Sequence, residues 1–176
     1  IHHSTDLINW TLVCRPLNRA SQLDMRGNPD SCGIWAPCLS FADGLFWLVY
    51  TDVKRFDGSF KDAHNYIVTA PSIDGPWSDP AYVNSSGFDP TLFHDDDGRK
   101  WFANMVWNHR ASSGKGPAKQ NLFGGILCQE WDAKAGKLIG PVTNIYHGTE
   151  RGLVEGPHFS KRGGWRRRTS SSAGCR

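Results

Sequence analysis

The amino-acid sequence predicts an all-β fold, and both its composition and its internal order support this prediction. Nineteen Gly and ten Pro accompany eight Trp and nine Phe among 176 residues, which favours short strands joined by turns over long helices. A hydrophobic fraction of 39% is sufficient for a buried core. Segments with the order strand, turn, strand also recur along the chain. Such a repeat is typical of a β-propeller, whose blades are copies of one sheet.

The first repeat unit follows an irregular N-terminal region. A turn beginning at Ser4 leads into a short strand that ends at Val13. The polar segment 15–31, which Pro16 and Gly27 interrupt, predicts a long connection. We then expect a hairpin of two apolar strands (34–41 and 45–51), a charged loop (54–63) and a further strand (64–70).

The second unit repeats this order and runs into a third. Its hairpin is predicted at residues 90–94 and 100–107, around an acidic turn at 95–97 that we expect to be solvated. After it we expect a flexible loop (111–120), two strands (122–131 and 137–146) and the start of the third unit (152–161).

Three residues share one offset from a glycine in these hairpins. Trp35, Asp89 and Glu155 each precede a glycine by nine residues, at Gly44, Gly98 and Gly164. The innermost strands of a propeller converge on a central channel, so equivalent positions would bring these three side chains together. A β-sandwich is the alternative architecture, but it gives no reason for two carboxylates at matching offsets.

Two carboxylates that face one cavity suit the hydrolysis of a glycosidic bond, in which an acid protonates the leaving oxygen and a base activates water. Apolar neighbours of Glu155 would raise its pKa, as a general acid requires, and a negative Asp89 nearby would raise it further. The competing interpretation is that both are ordinary surface carboxylates. Trp35 and Trp107 are candidates for stacking on sugar rings, although core packing explains their spacing equally well.

Composition disfavours several other classes of function. The net charge of +3 comes from segment 166–176, which holds four Arg and no acid, so a nucleic-acid partner is not expected. Five cysteines without a C-x-x-C pair predict neither a disulfide framework nor a zinc site. No apolar run of about 18 residues is present. We therefore expect a soluble protein without a membrane partner, whose compartment and oligomeric state the sequence does not fix.

The candidate residues lie in motifs that resemble glycoside hydrolase family 43, and most closely its β-xylosidases, some of which are also α-L-arabinofuranosidases. The resemblance covers residues 1 to about 165 and depends on four motifs: Trp35-Ala36-Pro37, residues 85–100, residues 104–110 and Glu155-Gly156-Pro157-His158. It implies a five-bladed β-propeller, of which this chain holds about three blades, and an inverting mechanism that uses a base, a pKa-modulating Asp and a general-acid Glu.

The resemblance also assigns roles to individual residues. Glu155 matches the general acid and Asp89 the pKa modulator, while the sugar pocket is expected to be formed by Trp35, Ala36, Phe88 and Trp107. The implied partner is a xylo-oligosaccharide or an arabinoside. No cofactor or metal is expected of this chain, since the His that lies near a central calcium in many relatives has no counterpart in it.

Three departures from the family pattern define further expectations. Cys38 stands where the family usually has His, and Asp30, despite its Asn-Pro-Asp context, is rejected as the base because it lies in the connection before Trp35. The base is expected before Ile1, so the chain alone is predicted to be inactive. Residues 166–176 are expected to be a disordered, non-family basic tail with no strand. A sugar-binding or scaffolding module without chemistry is the alternative function, and nucleic-acid binding through the tail is a third.

Overall fold

The computed structural model describes residues 1–57, 60–109, 122–149, 154–162 and 165–171. All twelve regular elements in these ranges are β-strands, so the all-β prediction is confirmed. In chain order they are β1 (His2–His3), β2 (Thr11–Leu12), β3 (Gly33–Ala42), β4 (Leu45–Asp57), β5 (Phe60–Ala70), β6 (Ala81–Asn84), β7 (Gly87–His94), β8 (Lys100–Trp107), β9 (Phe123–Asp132), β10 (Lys137–Tyr146), β11 (Glu155–Arg162) and β12 (Trp165–Ser171). Among the described residues, none forms a helix long and apolar enough to cross a membrane.

The strands form successive antiparallel sheets that follow the chain. Two sheets have four strands each, in the orders β3-β4-β5-β6 and β7-β8-β9-β10, and the pairs β1-β2 and β11-β12 form two-stranded sheets. The first strands contact one another in sequence, β3 with β7 and β7 with β11. Sheets whose first strands meet in this way have the arrangement of propeller blades around a centre.

Both faces of β4 are buried, which explains its continuous apolar sequence. Trp47 and Val49 pack into a core shared with the second sheet. Leu48 and Tyr50 point to the opposite face and pack with Trp77, as the two-residue period of a strand requires. A strand that is covered on both faces therefore has a continuous apolar sequence, without the alternation of apolar and polar residues.

Two expectations about secondary structure are wrong, and one strand was not predicted. Residues 54–57 and 60–63 of the charged segment are strand and not loop, because β4 and β5 continue their ladder to the pair Asp57 and Phe60. The short strand β6 was not predicted. Residues 165–171 form β12 and pair with β11, because backbone groups complete a ladder even where side chains show no apolar pattern. The predicted loop 111–120 and residues 172–176 lie outside the described residues, and the domain boundary at residue 165 stays a prediction.

A chain of buried amides joins the two four-stranded sheets. Asn65 and Asn104 are 0% and 1% exposed. Asn65 accepts a hydrogen bond from the Thr51 hydroxyl at 2.7 Å and donates to Asn84 at 2.8 Å, and Asn84 donates to Asn104 at 3.3 Å. Asn104 in turn donates to the Ser86 hydroxyl at 3.0 Å. These bonds satisfy polar groups that would otherwise destabilise the interior.

Polar contacts also connect the first strands of neighbouring sheets. His94 Nε2 and Ser40 Oγ lie 2.9 Å apart, and burial lowers the pKa of His94 to about 4. Lys161 contacts Asp95 at 3.1 Å and Asp96 at 2.6 Å. The Asp95 side chain is only 2% exposed, so the expectation of a fully solvated acidic turn is wrong for this residue. Asp95 instead ties the turn to β11.

Candidate active site

The first strands of three successive sheets carry the same irregularity, a β-bulge. The ladder register shifts between Trp35 and Cys38 in β3, between Phe88 and Thr91 in β7, and between Glu155 and His158 in β11. Each bulge contains one residue with positive φ, namely Ala36 (34°), Asp89 (56°) and Gly156 (59°). A proline follows each of these residues, at Pro37, Pro90 and Pro157. Bulges re-aim side chains and are frequent beside active sites.

The bulges correct the register of the repeat that the sequence predicts. Phe88, not Asp89, occupies the position equivalent to Trp35 and Glu155, while Asp89 corresponds to Ala36 and Gly156. The cause is the turn after β7. His94 pairs with Lys100 across five residues, whereas Ala42 pairs with Leu45 across two. Counting nine residues back from Gly98 therefore reaches Asp89, one residue after Phe88, which is the true equivalent of Trp35.

Asp89 and Glu155 are nevertheless brought together by this arrangement. The Asp89 carboxylate accepts a hydrogen bond from the backbone N–H of Gly156, with 2.9 Å between Oδ2 and N. Gly156 directly follows Glu155, so the bond joins the two bulges and fixes the backbone that carries the second acid. Asp89 is 9% exposed, and its φ of 56° is unusual for a residue with a side chain.

The environment raises the pKa of both acids. Burial is the main cause at Asp89, and the N–H of Gly156 and the charge of His158 act against it. Burial is again the main cause at Glu155, the negative charge of Asp89 raises its pKa further, and Lys61 acts in the opposite direction. A carboxyl that stays protonated near neutral pH can donate a proton, whereas an ionised one cannot.

An aromatic wall lies beside these acids. Trp35 meets Phe88 edge to face, with ring centroids 5.3 Å apart, and Phe88 lies 5.7 Å from Trp107. Phe88 is only 3% exposed, so it supports the two tryptophans more than it offers a free surface. Trp35 and Trp107 are partly exposed, and Ala36 is exposed at the bulge. All four predicted sugar-pocket residues therefore lie on β3, β7 and β8, in or beside this wall.

A cavity of about 220 Å³ opens between the two four-stranded sheets. Phe88 and Trp107 line it together with Lys61, Asp62 and Ser85. Ser85 belongs to the motif at residues 85–100, but Lys61 and Asp62 were not expected at the site, because residues 54–63 were predicted to be a charged loop. Only the pairing of β4 with β5 places Lys61 and Asp62 at the cavity, and pairing of this kind leaves no local sequence signal.

A short chain of polar contacts lies at the rim of the cavity. His64 Nε2 lies 2.9 Å from Asp62 Oδ1, and His64 Nδ1 lies 2.7 Å from Ser85 Oγ. The Tyr82 hydroxyl lies 2.8 Å from the same Ser85 oxygen. These contacts engage Asp62, which is therefore a fixed acceptor at the rim rather than a free carboxylate.

The structure offers no metal centre in the part of the chain that it describes. No three His, Cys, Asp or Glu side chains are grouped there so that they could hold a metal ion. Whether the protein uses a cofactor stays a prediction. Cys38, which departs from the family pattern, lies 3.6 Å from the Thr91 hydroxyl, and the described cysteines are free thiols, at Cys14, Cys32, Cys38 and Cys128.

Replacing Asp89 by Asn should make stability less dependent on pH. The folded protein holds the Asp89 proton more tightly than the unfolded chain does, since its pKa is raised. The unfolding free energy should thus fall as pH rises from the ordinary value of 3.8 to the raised one, and Asp89→Asn removes this contribution while its side-chain oxygen can still accept from Gly156. Urea unfolding between about pH 4 and about pH 7 measures the effect.

The control for this substitution is Asp74→Asn. A hydrogen bond from Ser72 lowers the pKa of the exposed Asp74, so Asp74 makes the unfolding free energy rise with pH. Asp74→Asn should remove this small rise, a change of opposite sign to that of Asp89→Asn. An unchanged pH dependence in Asp89→Asn would mean that burial does not raise the pKa of Asp89.

Comparison with known proteins adds a family to this geometry. The profile described as glycosyl hydrolases family 43 matches residues 1–176. The xylosidase/arabinosidase 43B of Humicola insolens is 70% identical over 165 residues, which cover 94% of this chain and 29% of that protein. The beta-xylosidase of Bacillus subtilis is 57% identical over 159 residues, which cover 90% of this chain and 28% of that protein. The chain thus spans less than a third of the length of these relatives.

Solved structures show the same fold. A xylan beta-1,4-xylosidase from Bacillus halodurans superposes with a TM-score of 0.84 at 53% identity, over 99% of this chain and 34% of that one. The arabinanase Arb43A of Bacillus subtilis superposes with a TM-score of 0.66 at 21% identity, over 97% of this chain and 56% of that one. The prediction of an incomplete β-propeller is confirmed by these likenesses together with the order of the sheets.

Proposed function

Because this chain belongs to glycosyl hydrolase family 43, we propose that it supplies two of the three acids of an inverting glycosidase site. Glu155 is the general acid that protonates the leaving oxygen, and Asp89 tunes the pKa of Glu155 and orients it. Trp35, Ala36, Phe88 and Trp107 form one side of the sugar pocket. The substrates are oligosaccharides derived from xylan or arabinoxylan, cleaved at β-1,4-xylosidic or α-L-arabinofuranosidic bonds.

One observation carries this proposal, the hydrogen bond from the N–H of Gly156 to the Asp89 carboxylate. Through it, Asp89 holds the backbone beside Glu155 and places a negative charge near the acid. A negative neighbour raises the pKa of a carboxyl, so Glu155 keeps its proton at a higher pH than an isolated glutamate would. Asp89, buried and bonded to a backbone amide, is poorly placed to activate water itself.

The substrate class is supported by the relatives rather than by the geometry. The Humicola insolens relative carries the names of both activities, and the Bacillus subtilis relative that of one. A pocket with aromatic walls suits either sugar, because pentose C–H surfaces pack on flat rings. Parallel assays with a xyloside and an arabinoside measure the preference between the two substrates.

The third acid, the base that activates water, is proposed to lie outside this chain. Of the described carboxylates near the cavity, Asp62 is engaged by His64, and Asp30 lies in the connection before β3. We therefore expect the 176-residue chain alone to hydrolyse neither 4-nitrophenyl β-D-xyloside nor the matching arabinofuranoside. Hydrolysis by the chain that disappears in Glu155→Gln would contradict this expectation.

A chimera tests the proposal directly. This chain replaces the matching 165 residues of the Humicola insolens protein, which supplies the remaining segments. We expect the chimera to hydrolyse 4-nitrophenyl β-D-xyloside, the arabinofuranoside or both, with the unmodified relative as the reference. A folded chimera that cleaves neither substrate would overturn the proposed function.

The alternative is a sugar-binding module without chemistry, and the partly exposed rings of Trp35 and Trp107 favour it. Xylose titrated against tryptophan fluorescence of the chain distinguishes the cases. Binding by the chain together with an inactive chimera favours the module. An active chimera favours the glycosidase whether or not the isolated chain binds xylose.

A further inference from the structure

Lys61 is held in an aromatic cage that the sequence did not predict. Its ammonium lies 4.2 Å from the ring centre of Phe56, 4.5 Å from that of Trp107 and 5.7 Å from that of Trp35. Phe56 is the partner of Lys61 in the ladder between β4 and β5. A cation enclosed by rings is fixed in direction as well as stabilised, and the attraction grows as water is excluded.

The cage places this cation beside the candidate acids. Lys61 lines the cavity, and two of its three rings, Trp35 and Trp107, belong to the predicted sugar pocket. Glu155 interacts electrostatically with Lys61, an attraction that raises the pKa of the lysine while burial lowers it. Lys61 is half-buried, and contact with aromatic rings stabilises an ammonium more strongly where water is excluded, so the cage is evidence for a fixed charge at this position.

The charges that act on Glu155 come from two neighbouring sheets. Asp89 approaches from β7 with a negative charge, and Lys61 approaches from β5 with a positive one. On its own strand, His158 acts on Asp89, and β8 contributes the uncharged Trp107 to the same wall. Glu155 is therefore acted on by one repelling and one attracting charge.

We propose that Lys61 is a positioning residue, whose caged ammonium draws the Glu155 carboxyl towards the aromatic pocket and balances the repulsion from Asp89. This inference rests on the proposed role of Glu155 as the general acid. A general acid works best when its pKa lies near the working pH. Burial and Asp89 both raise the pKa of Glu155, and Lys61 limits that rise so that the proton can still leave.

The test is a titration of Glu155 in the complete chain, without substrate. The chain contains three glutamates, Glu130, Glu150 and Glu155, so ¹³C labelling of Glu side-chain carboxyls gives few signals, and Glu155→Gln identifies the one that matters. We expect a higher Glu155 pKa in Lys61→Met than in the unchanged chain. Lys61→Arg should restore the lower value, because the guanidinium keeps the charge and stacks on aromatic rings.

Lys134→Met is the matched control, since it removes the same charge from the exposed turn between β9 and β10 and should leave the Glu155 pKa unchanged. An equal pKa in Lys61→Met and the unchanged chain would overturn the inference. So would an equal rise in Lys61→Arg, which would assign the effect to packing. If Lys61→Met does not fold, Lys61→Gln, which keeps part of the stem and a polar end, is titrated in its place.

The titration of Glu155 gives its result without any measurement of turnover. A Glu155 that responds to Lys61 in a chain whose chimera is inactive would refute the proposed function and leave the electrostatic pair intact. An active chimera whose Glu155 titrates identically with and without Lys61 would refute only the role of Lys61.

Discussion

Replacing Gly87 with Ala should destabilise the fold by more than about 4 kcal/mol, a loss reserved for severe core defects. The reason is space and not backbone conformation. A Cβ at Gly87 would collide with the backbone carbonyl oxygen of Met105 and come within 3.0 Å of the Trp107 nitrogen. Both neighbours belong to β8 and are held by its ladder with β9, so neither can give way as a flexible side chain would.

The effect of Gly87→Ala should extend to the candidate site. Gly87 precedes Phe88 and Asp89, and its carbonyl accepts a hydrogen bond from the buried Asn65 at 3.1 Å. Separating β7 from β8 would therefore break the amide chain between the sheets and move the bulge that carries Asp89. Urea unfolding followed by tryptophan fluorescence measures the loss of stability.

Gly98→Ala provides the comparison for Gly87→Ala. Gly98 has a φ of +85°, and a Cβ there would meet nothing within 4 Å, so the substitution costs only the strain of a left-handed backbone, about 1 kcal/mol. Equal and small losses in the two variants would show that β7 and β8 can separate easily. That result would also weaken the assignment of Asp89 to a fixed position.

The sequence was informative where a pattern is local. The apolar run of β4 and the turn that follows β3 identify the first hairpin, because burial of both faces demands continuous apolar residues. The family motifs likewise identify Asp89 and Glu155 as the acids to examine, and the structure joins their strands through Gly156. Their chemical roles stay predictions until activity is measured.

What the sequence could not predict depends on pairing between distant segments. The bulge register was misjudged by one residue, because the turn after β7 contains more residues than the turn after β3. Lys61 was assigned to a loop, since a charged strand extension without alternation resembles a loop. The Asn65 to Asn104 chain was missed for a similar reason: an asparagine is a typical turn residue until tertiary contacts bury it.

The largest expected effect on catalysis is that of Glu155→Gln in the chimera. Gln cannot donate the proton that a leaving oxygen needs, so we expect kcat/KM for phenyl β-D-xyloside to fall by about 10³-fold, within the usual range for a general acid. Phenolate is a poor leaving group and depends on protonation. The same variant should lose less than about 10-fold with 2,4-dinitrophenyl β-D-xyloside, whose leaving group departs as an anion.

The pH profile gives the same substitution a second, independent readout. The unchanged chimera should lose activity as pH rises through the raised pKa of Glu155, because the proton to be donated is then gone. Glu155→Gln should lack that decline, whereas Glu130→Gln, on β9, should keep it. An equal loss with both leaving groups would instead indicate that Glu155 supports the structure of the bulge, since a structural defect slows every substrate alike. The dependence on the leaving group therefore separates a proton donor from a carboxylate that only holds β11 in place.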